Sequence, residues 1–108
     1  MGEKMTEDEA RHILLSFEGA SEGEHHGHPD FRVGKSIFAT LSPNREHTVL
    51  RVPYAFAQLL ASEDPKNRRV VNKPADWGWL SIALKSIAPE DYESFAREAW
   101  SALARKPK

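Results

Sequence analysis

Phe31-Arg32-Val33-Gly34-Lys35-Ser36-Ile37-Phe38-Ala39-Thr40-Leu41 decides how this chain is read. Two apolar runs of strand length flank Gly34-Lys35, the spacing of a tight hairpin. Upstream, the first strand reaches back to about Glu22, with a break expected at Pro29. Downstream, the Ser42-Pro43-Asn44 cluster marks a turn, and Thr48–Val52 supplies the next strand. The centre therefore reads as a three-stranded meander.

Helices bracket it. Thr6 followed by Glu9 has capping-box spacing, and Ala10, Ile13, Leu14 and Phe17 recur at i, i+3, i+4 and i+7 until Gly19. Pro53 suits a first helical position, and Phe56, Leu59 and Leu60 make an apolar stripe that Ser62 and Pro65 end. A basic connection from Lys66 to Lys73 contains Val70-Val71 as a small strand, and Trp79–Leu84 alternates as another. Pro89, with Glu90 and Asp91 behind it, opens a last helix whose inner face is Tyr92, Phe95, Ala96, Ala99 and Leu103, with Arg105 and Lys106 at its C-terminus. The order α-β-β-β-α-β-β-α implies a two-layer α+β fold, a single antiparallel sheet with helices on one face.

The 108 residues, 40% hydrophobic and 29% charged, have room for one core, so residues 1–108 read as one domain, with 1–5 and 106–108 frayed. Cysteine is absent, which removes disulfides, thiolate metal sites and cysteine nucleophiles together. The acidic opening lacks the apolar run of a signal peptide, and no window nears the roughly 18 apolar residues that cross a bilayer. A cytoplasmic protein without membrane contact is expected. The formal net charge of −1 conceals an asymmetry: residues 1–30 carry −6, residues 31–88 carry +5, and residues 89–108 carry none. The basic middle is the segment suited to phosphate.

No serine lies in a nucleophile elbow, and the glycines fall at neither phosphate-loop nor dinucleotide spacing. The paired carboxylates sit at helix ends or in loops, where solvated acids belong. These patterns point away from an enzyme and from a cofactor. Lys66, Arg68, Arg69 and Lys73, close to Trp77 and Trp79, form the best nucleic-acid candidate. Cations neutralise phosphate, and an exposed indole stacks on an unpaired base. Arg32, Lys35, Arg45 and Arg51 on the meander are alternatives. If Glu22–Val33 is one strand, Glu22, Glu24, His26 and His28 share a face, and Glu24, His26 and His28, with His47 as a further ligand, become weak metal candidates against the plainer reading of a polar edge.

Gly27-His28-Pro29-Asp30-Phe31-Arg32-Val33-Gly34-Lys35 followed by Ile37-Phe38-Ala39-Thr40-Leu41 resembles the MmcQ/YjbR family of small bacterial proteins. Asn72-Lys73 leading to Trp77-Gly78-Trp79-Leu80-Ser81-Ile82, and Glu98-Ala99-Trp100, resemble two further stretches of that family. The likeness runs from about Thr6 to Ala104. It implies a fold similar to frataxin/CyaY and the secretion chaperones, and a DNA-binding role. The matching positions are His28, Phe31, Arg32, Phe38, Lys73 and Trp79. Phe31 and Phe38 read most simply as core, which leaves Arg32, Lys73, His26 and His28 for a shared polar surface. The expectation is a non-enzymatic module that contacts DNA phosphates through Arg32, Lys66, Arg68, Arg69 and Lys73. The alternative is a protein-interaction or chaperone-like domain, dimeric through its sheet face or edge.

Overall fold

The computed structural model describes residues 5–25, 27–72 and 77–104. Its elements are α1 (Glu7–Leu15), β1 (Ala20–His25), β2 (His28–Val33), β3 (Ser36–Leu41), β4 (His47–Pro53), α2 (Tyr54–Glu63), β5 (Arg68–Asn72), β6 (Trp77–Ala83), a 3-10 turn (Leu84–Ser86) and α3 (Pro89–Ala104). One six-stranded antiparallel sheet runs in the order β1-β2-β3-β4-β6-β5. The α+β class, the single antiparallel sheet and the one-sided helical layer are as the sequence implies.

One strand is differently built. The stretch read as a single strand from Glu22 to Val33 is a hairpin, β1 and β2, closed at the register His25↔His28. The break falls at Gly27, whose φ of +84° favours glycine, and not at Pro29. Pro29 is the second residue of β2, ahead of the pairing with β3 that begins at Asp30, where a missing ladder donor costs least. The meander therefore has four strands.

The helical layer follows from local chemistry. Thr6 Oγ1 accepts from the Glu9 N–H at 3.1 Å while Glu9 Oε1 accepts from the Thr6 N–H at 3.0 Å, the reciprocal cap that the spacing predicts. Met5, expected to fray, is instead 2% exposed, and its N–H donates to the Leu84 carbonyl. Phe17 stacks on Trp100 of α3 at 5.5 Å, and the Trp100 indole N–H donates to the Glu18 carbonyl at 2.8 Å. These contacts bind the two ends of the chain together. Arg105 and Lys106 lie outside the described residues.

Inward residues alternate along the central strands: Thr48, Leu50 and Val52 on β4, and Gly78, Leu80 and Ile82 on β6. Burying each of the larger aliphatic side chains contributes roughly 1.5–3 kcal/mol. The inward face of α2 differs from the expected stripe, with Ala57 and Leu60 buried and Leu59 54% exposed. The reason is close approach. A Cβ at Gly78 would stand 2.9 Å from Ala57 Cβ and 3.4 Å from Tyr54 Cδ1, so small residues on both sides set the helix-to-sheet distance.

Beneath α3, Tyr92 is fully buried and its hydroxyl lies 2.6 Å from Thr48 Oγ1, which also donates to the Thr40 carbonyl at 3.3 Å. Burial pushes the Tyr92 phenol well above the ordinary tyrosine range, while the Thr48 hydrogen bond works the other way.

Two stability measurements check this packing. Gly78→Ala lowers the urea midpoint by an amount equivalent to about 1–3 kcal/mol, because overpacking against Ala57 outweighs the lost glycine entropy; an unchanged midpoint would mean that α2 is not held against the sheet there. The raised Tyr92 pKa means that the folded state keeps a proton that the unfolded chain releases near pH 10. Its contribution is complete below about pH 10 and falls by up to about 1.4 kcal/mol per pH unit above it. Tyr92→Phe flattens that alkaline slope.

Candidate functional site

Outward residues on the same strands form a face that no described helix covers. Strand register sets them in transverse rows. One row runs Arg69, Ser81, Val49, Thr40, Asp30 and Gly23 from β5 to β1. A neighbouring row pairs Trp79 with Arg51, the next sets Trp77 opposite Pro53, and on the other side Ala83 meets His47.

At the His47 end the face deepens into an open groove of about 680 Å³. Its floor is Val49, Ser81 and Ala83, and Lys66, Arg68 and Arg69 are the lysine and arginines of its lining. No described carboxylate lines it. Both rims are tied down. On one, the His47 N–H donates to Ser42 Oγ at 3.1 Å, and Asn44 Oδ1 accepts from Ser42 Oγ at 2.7 Å and from the Glu46 N–H at 3.0 Å. On the other, the Asn67 amide donates to the Asp64 carboxylate at 3.0 and 3.2 Å, and the Ala83 N–H donates to the Asn67 carbonyl at 3.0 Å. Lys66 and Arg69 are exposed and form no ion pair with any described residue.

The remaining cations of the expected set have other duties. Arg68 points into the helical layer. Its Nη1 donates to the Leu60 carbonyl at 3.0 Å and meets Glu63 Oε1 at 3.4 Å, and the guanidinium lies 5.2 Å from the Phe95 ring centroid. It caps the Leu60 carbonyl in the last turn of α2, so its charge is engaged there and it leaves the phosphate-binding set. Arg32 forms a bidentate pair with Asp30, Nε to Oδ1 at 2.8 Å and Nη2 to Oδ2 at 3.0 Å, so its charge is largely offset. That hydrogen-bonded pairing holds the Arg32 guanidinium above its ordinary range. Gly23 makes the pair possible, since a Cβ there would stand 3.0 Å from Asp30 Oδ1. Lys73 lies outside the described residues.

The aromatic pair divides as well. The Arg51 guanidinium covers Trp77 at 4.0 Å from the ring centroid, and burial lowers the Arg51 pKa. Trp79 is half-buried and takes part in no ring pair or cation–π contact with a described residue.

The hairpin rearranges the histidine and carboxylate face, and Glu22, Glu24 and His28 line one open pocket together with Arg11 and Arg45. Glu24 sits opposite Pro29, so by register it shares a face with Glu22, whose carboxylate accepts from Arg11 Nε at 3.0 Å. His28 falls on the opposite face with Asp30 and Arg32, and His47 is two strands away in the groove. His26 lies outside the described residues. Among the described residues, no group of three or more His, Asp or Glu is placed to hold a metal ion. No described helix is long and apolar enough to cross a membrane.

An antiparallel sheet with one helical layer and this chain order is the architecture of a small two-layer α+β domain, and sequence comparison makes the assignment specific. The YjbR family profile matches residues 15–102, and the chain belongs to that family. Its fold is similar to the crystal structure of Deinococcus radiodurans protein DR2400, with the domain DUF419, at a TM-score of 0.79 and 14% identity over 95% of this chain and 81% of that one. No curated protein matches the sequence.

Because Arg68 serves the helical layer, Arg68→Ala lowers stability by about 1–3 kcal/mol in chemical denaturation, the worth of a charged hydrogen bond to a buried carbonyl. Arg69→Ala, on the open face, changes stability by about 0.5 kcal/mol or less.

Proposed function

We propose that this chain is a non-enzymatic module that binds DNA through phosphate contacts on the open sheet face, with Lys66 and Arg69 as its anchoring cations. The observation that carries the reading is the groove itself, where Lys66 and Arg69, which form no ion pair with a described residue, stand beside polar Ser81 and Asn67, and no described carboxylate belongs to the lining. Fixed rims supply a preorganised surface, so little ordering is needed on binding.

Of the acidic first third of the chain, Glu7 reaches the groove rim already paired with Arg45 at 3.4 Å, and two other acids lie far off. Glu22 and Glu24 belong to β1, at the far edge of the sheet from β5. Five strand spacings, roughly 24 Å, separate those edges. That exceeds the Debye length of about 8–10 Å at physiological salt, so the groove acts on an incoming anion with its own sign. Phosphate contact of this kind gives affinity with little base readout, in keeping with the DNA-binding role that the family resemblance implies.

Fluorescence anisotropy of labelled DNA at about 50 and 200 mM salt checks the proposal, since each neutralised duplex phosphate adds about 0.9 to the log–log salt slope. Lys66→Ala and Arg69→Ala each weaken binding and reduce the slope by about that amount. Arg32→Ala leaves the slope nearly unchanged. Binding that ignores salt, or none at the lower salt, would overturn the reading.

A further inference from the structure

Resting on that phosphate reading, we propose that the open face takes single-stranded nucleic acid in preference to duplex, with Trp79 as the ring on which an unpaired base stacks. Three observations bear on this. Trp79 is on the same face as the groove, two residues along β6 from Ser81, and Ser81 is the register partner of Arg69. Same-face neighbours on a strand are about 7 Å apart, which lets one nucleotide set its phosphate against Arg69 and its base over the indole. The phosphate subsite and the stacking subsite are therefore consecutive along one strand.

The second observation separates the two tryptophans. Trp77 already carries the Arg51 guanidinium on its face at 4.0 Å, whereas the Trp79 ring has no such partner among the described residues. Arg51 is the register partner of Trp79 and is held against Trp77, so the three residues form one row in which the Trp79 ring has no aromatic or cationic partner among the described residues. Trp79 stacks, and Trp77 with Arg51 positions it.

The third is shape. The open face is the side of a sheet, and no described helix or ribbon projects from it to enter a groove of B-form DNA. A duplex keeps the faces of its bases stacked inside, beyond the reach of an indole on a flat platform. A single strand can splay its bases across a sheet and lay its backbone along a basic margin, the arrangement that sheet-based single-strand binders use. Duplex contact here is confined to phosphate, whereas a single strand gains the stacking as well.

The experiment compares fluorescein-labelled mixed-sequence DNA of about 15 nucleotides with a duplex of the same length, since one sheet-type site covers about 4–16 nucleotides. At about 50 mM salt the single strand binds at least about tenfold tighter. Trp79→Ala weakens single-strand binding by about 5- to 100-fold, the range of one stacked base, and changes duplex binding by about twofold or less. Trp79→Phe keeps a stacking ring and retains most single-strand affinity, which separates stacking from misfolding. Single-strand binding quenches the protein's tryptophan fluorescence, and the Trp79→Phe variant loses most of that quenching. Equal or tighter duplex binding, or full single-strand affinity in Trp79→Ala, would overturn this inference while leaving the phosphate contacts at Lys66 and Arg69 in place. Failure of both DNAs to bind would overturn the phosphate reading, and this inference with it.

Discussion

Everything in this fold depends on the register between β4 and β6, two adjacent interior strands of the sheet. Leu50 opposite Leu80, and Thr48 opposite Ile82, face the helices, while Val49 opposite Ser81, and Arg51 opposite Trp79, face away. Side chains alternate with a period of two, so a slip of one residue would exchange the sets, burying a guanidinium and exposing the aliphatic core. The cost of that exchange is what fixes the pairing. The same register brings Thr48 under Tyr92 of α3 and sets Gly78 beneath Ala57 of α2, so both helices are seated by the choice that arranges the open face.

Much of this is legible in the residues. The capping box at Thr6 and Glu9, the turn at Gly34-Lys35, and the helix opened by Pro89 depend on interactions within a few positions of one another, and each forms where its spacing places it. The hairpin at Gly27 was misread because Pro29 is the stronger local breaker, and only the arrival of β3 one residue later explains why proline is tolerated there. Leu59 was misread for a comparable reason. Helical periodicity admits it, but the glycine at position 78, on a strand distant in sequence, draws Ala57 to the centre of the contact.

The candidate site was legible in part. Lys66, Arg68, Arg69 and Lys73 look like one cluster when they are counted along the chain, yet consecutive strand residues point to opposite faces, and Arg68 parts from Arg69 at the first rung of β5. The period-two rule, applied to the basic run as it was to the apolar ones, could have found this. The other half of the groove left no comparable signal. Ser42, Asn44 and His47 reach it because β4 lies beside β6, a pairing between segments distant in sequence. The ion pair of Arg32 with Asp30 was hidden too, since an i, i+2 pair is visible in sequence but the slot that shields it is made by a neighbouring strand.

That slot carries a consequence for how the chain can change over generations. Gly23, Asp30 and Arg32 are locked into a three-way dependence: the buried aspartate has room for its carboxylate because the residue across from it has no side chain, and the arginine is oriented because the aspartate is there. A side chain gained at position 23 pushes the carboxylate out of place, and loss of the carboxylate frees the guanidinium to meet outside anions. Drift at any one of the three positions thus alters selection on the other two. The positive surface of the protein can be enlarged toward β2 by replacing Asp30, without adding a single base to the sequence.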